Sequence, residues 1–172
     1  KPKKERLTPP NLENFDMVGS GALVIDGLGN LYFQLRDKHV EIESSKISIF
    51  GGARENHTHH NRPDIDIQYQ SKELTAEAVK REVMEELSLN EDQIDSVNPF
   101  GWQSNNLPDE PSKGFSMHIV QLKDGIRFDD TWLTEGSALI KVDDIDNFLD
   151  SYRDNCVPQV WEMLDRNRER IS

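Results

Sequence analysis

One cysteine in 172 residues, Cys156, leaves no internal disulfide to form. It makes a reducing cytoplasm the expected setting. No stretch approaches the roughly 18 consecutive apolar residues that a membrane-spanning helix needs, so no membrane partner is expected. Basic residues are scarce: 20 Lys and Arg stand against 32 Asp and Glu, a net charge of −12. Nucleic-acid backbones and anionic membrane surfaces are held by clustered Lys and Arg, so no nucleic-acid partner is expected either. A small anionic ligand stays possible, because a bound cation reverses the local sign. The basic opening, from Lys1 to Arg6, leads into no apolar run and does not read as a signal peptide.

What is present describes an ordinary globular chain. Apolar residues at 35% and charged residues at 30% suit a soluble domain with polar loops, and this length buries a sizeable core. Residues 1–13, with Pro2, Pro9 and Pro10, read as an extended lead-in, and residues 14–172 as a single domain. Strand-like segments run over 17–26 and 31–36, joined by the turn Gly27-Leu28-Gly29-Asn30. A third strand spans 47–50 and is expected to end at Gly51-Gly52. Residues 74–87 carry helical periodicity, with Ser71 or Thr75 as the N-cap. Strands over 94–102, 115–122 and 138–142 follow, then a short helix from about 142 and one closing amphipathic helix over 157–171. A mixed sheet flanked by helices results, an α+β fold.

The 74–87 helix holds the most informative cluster, Arg81-Glu82-Val83-Met84-Glu85-Glu86. At about 100° per residue, with Glu82 at zero, Glu86 falls near roughly +40° and Glu85 near roughly −60°. Arg81 flanks Glu85 on the outside of that arc. Ala76, Val79, Val83 and Leu87 form a separate apolar stripe beside it. Two readings fit: a solvated acidic face, or carboxylates gathered around a hard cation. Like charges at i and i+4 cost an isolated helix a few tenths of a kcal/mol, and oxygen ligands suit Mg²⁺, Mn²⁺ or Ca²⁺.

From Glu73 through Arg81-Glu82-Val83-Met84-Glu85-Glu86-Leu87-Ser88-Leu89, the chain resembles the Nudix hydrolase box, G-x5-E-x7-R-E-U-x-E-E-x-G-U. Ser88 stands where the box has its last Gly, and Ile67 stands where it has its first. Gly51-Gly52-Ala53-Arg54-Glu55 is similar to the family's Gly-Gly-x-x-Glu, which is followed here by an insertion of about fifteen residues within 56–72. The segment from Thr134-Glu135-Gly136 onward resembles a stretch before the last strand of some members.

The resemblance implies an α/β/α sandwich with a mixed β-sheet. It further implies a Mg²⁺-dependent hydrolase, with Mn²⁺ as a substitute, that cleaves a nucleoside diphosphate linked to another moiety. Glu82, Glu85 and Glu86 would hold the metal with the Gly52 carbonyl, and Arg81 would orient the carboxylates or Glu73. The general base stays open between the box helix (Glu82 or Glu85) and Glu135. Arg36 and Arg54 are candidates to meet substrate phosphate, and a homodimer is expected. The alternative is a catalytically weak module of the same fold that senses a nucleotide or a partner.

The insertion is expected to act as a lid or specificity element. His57, His59 and His60 within it read as solvated histidines rather than a zinc site, and Trp102 as a packing residue. Tyr69 and Trp132 have the chemistry to stack on a base. Cys156 reads as a small buried apolar residue, in the wrong region for the Cys–Glu pair that isoprenoid diphosphate isomerisation would want.

Overall fold

The computed structural model describes residues 17–35, 46–55, 72–105, 113–128, 133–134 and 137–171. The strands are β1 (Met17–Ile25), β2 (Leu31–Leu35), β3 (Ile47–Ser48), β4 (Phe50–Glu55), β5 (Ile94–Asn105), β6 (Lys113–Leu122), β7 (Leu133–Thr134) and β8 (Ser137–Val142). The helices are α1 (Lys72–Leu87), α2 (Ile145–Ser151), α3 (Pro158–Arg166) and α4 (Arg168–Ile171). The strands form one sheet in the order β5-β6-β1-β2-β8-β7, with β3 added to β2 and β4 to β1. The pair β1–β6 is parallel and the other ladders are antiparallel, so the sheet is mixed.

β1 is central because its side chains are wanted on both faces. Ala22 and Val24 pack with Val79, Val83 and Leu87 of α1. Leu23, on the opposite face, packs with Phe148 and Leu149 of α2 and Met163 and Leu164 of α3. A strand covered on both sides reads as a continuous apolar run instead of an alternating one, which accounts for Ala22-Leu23-Val24-Ile25. Two cores, one per face, give the α/β/α layering. Phe33 stacks on Phe148 at 5.1 Å between ring centroids. Cys156 is a free, buried thiol in the second core. Burial pushes its pKa up to about 11, so it stays a neutral apolar filler.

The β1–β2 turn is held by one carboxylate. Asp26, 2% exposed, accepts from the N–H groups of Leu28 and Asn30, the Asn30 Nδ2 and the Tyr32 hydroxyl, at 2.7 to 2.9 Å. Burial alone would raise its pKa. The four donors outweigh it and hold the carboxyl below its ordinary 3.8. Burial first, then the bond to Asp26, push the Tyr32 hydroxyl well above its ordinary value, so it remains a donor.

α1 ends in a left-handed residue. Ser88 has φ 53°, and the Leu89 N–H donates to the Met84 carbonyl at 2.9 Å. That is the six-to-one bond of a Schellman termination, with Leu89 and Met84 both in the α1-side core. The box position usually filled by Gly therefore keeps the backbone conformation that favours Gly, and Ser tolerates it at a cost.

Three sequence expectations need correction. Gly51 and Gly52 do not end a strand; they lie inside β4, where Gly51 pairs with Gly21 and Gly52 with Ser20. Thr75 is not a cap, because α1 already starts at Lys72. The closing helix is two helices: Asn167, whose Nδ2 donates to the Met163 carbonyl at 2.7 Å, separates α3 from α4 by offering the backbone a side-chain partner.

Two outcomes test this account. Ser88→Gly should stabilise the fold by about 0.5–1 kcal/mol, read by urea unfolding, by relieving the left-handed strain. Asp26→Asn should destabilise it by about 2–4 kcal/mol at neutral pH. Because the folded carboxyl titrates below its ordinary value, that contribution is complete above about pH 4 and disappears as the pH falls through the lowered value. The gap between wild type and variant should accordingly narrow below pH 4.

Candidate active site

The apolar stripe of α1 determines where its acids stand. Val79 is 1% exposed, and Val83 and Leu87 are fully buried, so the helix cannot rotate without withdrawing them from the core. Glu82 and Glu86 lie beside that stripe and are half-buried. Glu82 Oε2 lies 3.4 Å from the Ser20 Oγ, which donates to it. Glu86 Oε2 lies 3.4 Å from the Gly51 nitrogen, whose N–H donates to it. Both separations are long for hydrogen bonds. Ser20 and Gly51 occupy adjacent rungs of the β1–β4 ladder, Ser20 opposite Gly52 and Gly21 opposite Gly51. Two carboxylates one helical turn apart thus face one small patch of sheet.

Gly51 is required there. Its φ is 116°, a conformation side chains rarely adopt, and a Cβ built on it would run into the Ser20 carbonyl oxygen. The absence of a side chain lets β4 lie close to β1 and leaves the backbone of the glycine pair open toward Glu86.

Arg81 and Glu85 are exposed on the outer side of the arc. Glu73 lies in the first turn of α1, and Gly52 and Arg54 lie in β4; their positions are set by the backbone of those elements. Arg36, Glu135, Tyr69, Trp132 and the three histidines, with residues 56–71 of the insertion, lie outside the described residues. Trp102 belongs to β5. The sequence reading passed over Ser20. Its signal was a polar residue one alternation before Ala22, at an inward position of an otherwise apolar strand.

Among the described residues no three His, Cys, Asp or Glu side chains gather into a metal-binding group. The oxygen ligands that assemble are the two carboxylates of Glu82 and Glu86, with the Gly51 N–H and the Ser20 hydroxyl as donors beside them. Mg²⁺ is commonly held by one or two carboxylates and completed by waters and substrate phosphates. The residues present fit such an ion.

An α/β/α sandwich with acids on α1 facing a glycine strand is a recognisable class. Solved structures place it. The chain is similar to the MutT protein from Methanosarcina mazei Go1, with a TM-score of 0.55, 16% identity, and coverage of 90% of this chain and 94% of that one. It is similar to a Nudix hydrolase from Nitrosomonas europaea, with a TM-score of 0.57, 15% identity, and 88% of each chain covered. A mutT/nudix family protein from Listeria innocua aligns with a TM-score of 0.53 at 16% identity, over 95% and 92%. No protein-family model and no curated protein sequence matches the chain. The fold is the Nudix fold, and the box-like segment Glu73–Leu89 runs from the first turn of α1 through its Ser88 termination.

Gly51→Ala should lower stability by roughly 2–4 kcal/mol, since it combines a strained backbone angle with a collision against Ser20. Thermal unfolding of the two proteins side by side checks it, and an unchanged midpoint would contradict the close strand approach.

Proposed function

We propose that the chain is a divalent-metal-dependent hydrolase of a nucleoside diphosphate linked to another moiety. The observation carrying this reading is the placement of Glu82 and Glu86 over the Ser20 and Gly51 rungs of the β1–β4 ladder. A solvated acidic face would leave both carboxylates in water. Here they are drawn to the sheet, next to backbone that glycine keeps uncovered.

Glu82 and Glu86 would hold Mg²⁺, or Mn²⁺ in its place, and the Gly52 carbonyl would complete the protein share. Such an ion would supply charge neutralisation for a diphosphate and would acidify water beside it. A cation between the two carboxylates would lower their mutual repulsion. Water attacks one phosphorus, the bond to the bridging oxygen breaks, and the products are a nucleoside monophosphate and a phosphorylated remainder. The proton lost by the water passes to a carboxylate, from Glu82 or Glu85 on α1 or from Glu135. Glu73 and Arg81 orient the acids, and Arg36 and Arg54 meet substrate phosphate. Phosphoryl transfer of this kind needs mainly positioning and charge stabilisation.

A second reading, a binding module with little turnover, draws on the exposed position of Glu85, which leaves two carboxylates rather than three against the sheet.

A panel of nucleoside diphosphate derivatives, assayed with Mg²⁺, with Mn²⁺ and with chelator, separates the two. The hydrolase reading expects turnover that chelator abolishes. Glu82→Gln and Glu86→Gln should each lower kcat/KM by about 10²–10⁴-fold, the rate equivalent of several kcal/mol of lost charge stabilisation. Ligand binding without turnover across the panel would establish the binding module instead.

A further inference from the structure

Ser20 is 6% exposed and belongs to the polar minority of the core. Strand alternation puts it on the α1 side of β1, the side of Ala22 and Val24, which pack in the α1-side cluster. On one side of β1 it sits opposite Gly52 of β4, and on the other opposite Ser116 of β6. A buried hydroxyl needs a partner, and this one donates to Glu82 Oε2. The contact joins residues 62 positions apart in sequence, so it is made by the fold rather than by local geometry.

We propose that Ser20 is a positioning residue for the metal ligand Glu82; this rests on the metal-site reading above. A glutamate has three side-chain torsions to fix, and the apolar stripe of α1 fixes none of them beyond the helix backbone. The Ser20 hydroxyl engages one carboxylate oxygen from the sheet and restricts the side chain to conformations that face the glycine rung. Outer partners of this sort orient a ligating carboxylate before the ion arrives, and their loss weakens metal binding without removing a ligand. Apolar replacement at position 20 keeps the packing and loses the restraint.

The test is Mn²⁺ binding to the substrate-free protein, followed by the electron paramagnetic resonance signal of the free ion, alongside thermal unfolding in chelator. Ser20→Ala should raise the Kd for Mn²⁺ by about 3–10-fold, at or below the low end for loss of an outer partner because the contact is long. Its metal-free unfolding midpoint should stay within about 3 °C of wild type. Ser20→Cys, which fills the same space with a weak donor, should weaken binding as alanine does and covers the case in which alanine disturbs folding. A lowered midpoint with unchanged Kd would show a packing residue and overturn the proposal. Glu82→Gln is the control: if it weakens Mn²⁺ binding while both Ser20 variants bind like wild type, only the role of Ser20 fails. If Glu82→Gln also binds like wild type, the metal site itself fails.

Discussion

Val79, Val83 and Leu87 close against β1 and β6, and the position of every polar group on α1 follows from that contact. Burying aliphatic side chains of this size stabilises by about 1.5–3 kcal/mol each. Opposing it, the like-charge pair Glu82 and Glu86 costs a few tenths. Packing wins by an order of magnitude. The helix therefore docks with Glu82 and Glu86 turned toward the sheet, whatever their mutual repulsion. The charge geometry of the site is a by-product of hydrophobic registration.

The sheet side is built with the opposite economy of atoms. Along the middle of β1 the side chains are small, Gly19-Ser20-Gly21-Ala22, before the larger Leu23-Val24-Ile25. Opposite them β4 offers Gly51 and Gly52. Where side chains are large, β1 supports two cores; where they vanish, strands approach closely and backbone is laid open under α1. Core and site share a strand and differ only in side-chain volume along it. At the helix end the demand is conformational: Ser88 occupies the left-handed position that releases the chain from α1. Its short polar side chain accepts that angle, so the termination survives without glycine.

Much of this was readable from sequence because large side chains announce their faces. The stripe of α1, the strand over 17–26 and the turn at Gly27-Leu28-Gly29-Asn30 all came from apolar patterning and turn chemistry. What escaped detection lacked such markers. Glycine has no side chain to alternate, so Gly51-Gly52 looked like a strand end when it was strand interior. Asn167 interrupts a sustained amphipathic pattern through one side-chain bond to Met163, a local competition that periodicity does not register. Ser20 was hidden for a third reason: its significance depends on a partner 62 residues away. The motif from Glu73 to Leu89 identified the acids but not which of them would meet the sheet, because that depends on the docking angle of the helix.

Under the proposed function, an anionic substrate would have to approach a chain of net charge −12. Several of the described cations are committed to structure. Arg168 bridges Asp146, Asp150 and Asp165, and Arg170 lies over the Phe100 ring while donating to its carbonyl. Arg153 lies over Trp161, Lys46 donates to the Asp154 carbonyl, and Lys80 pairs with Glu91. These five cations are therefore engaged in structure rather than in a basic field that would steer a diphosphate. At physiological salt, fields from exposed charges decay over about 8 Å in any case. Under the proposed function, attraction would have to be local and strong, which a divalent ion between two carboxylates would provide and scattered lysines would not. On this view the acidity of the chain and its proposed preference for a diphosphate are compatible, because the charge that recruits substrate is carried by the ion and the protein's part is to hold that ion in place.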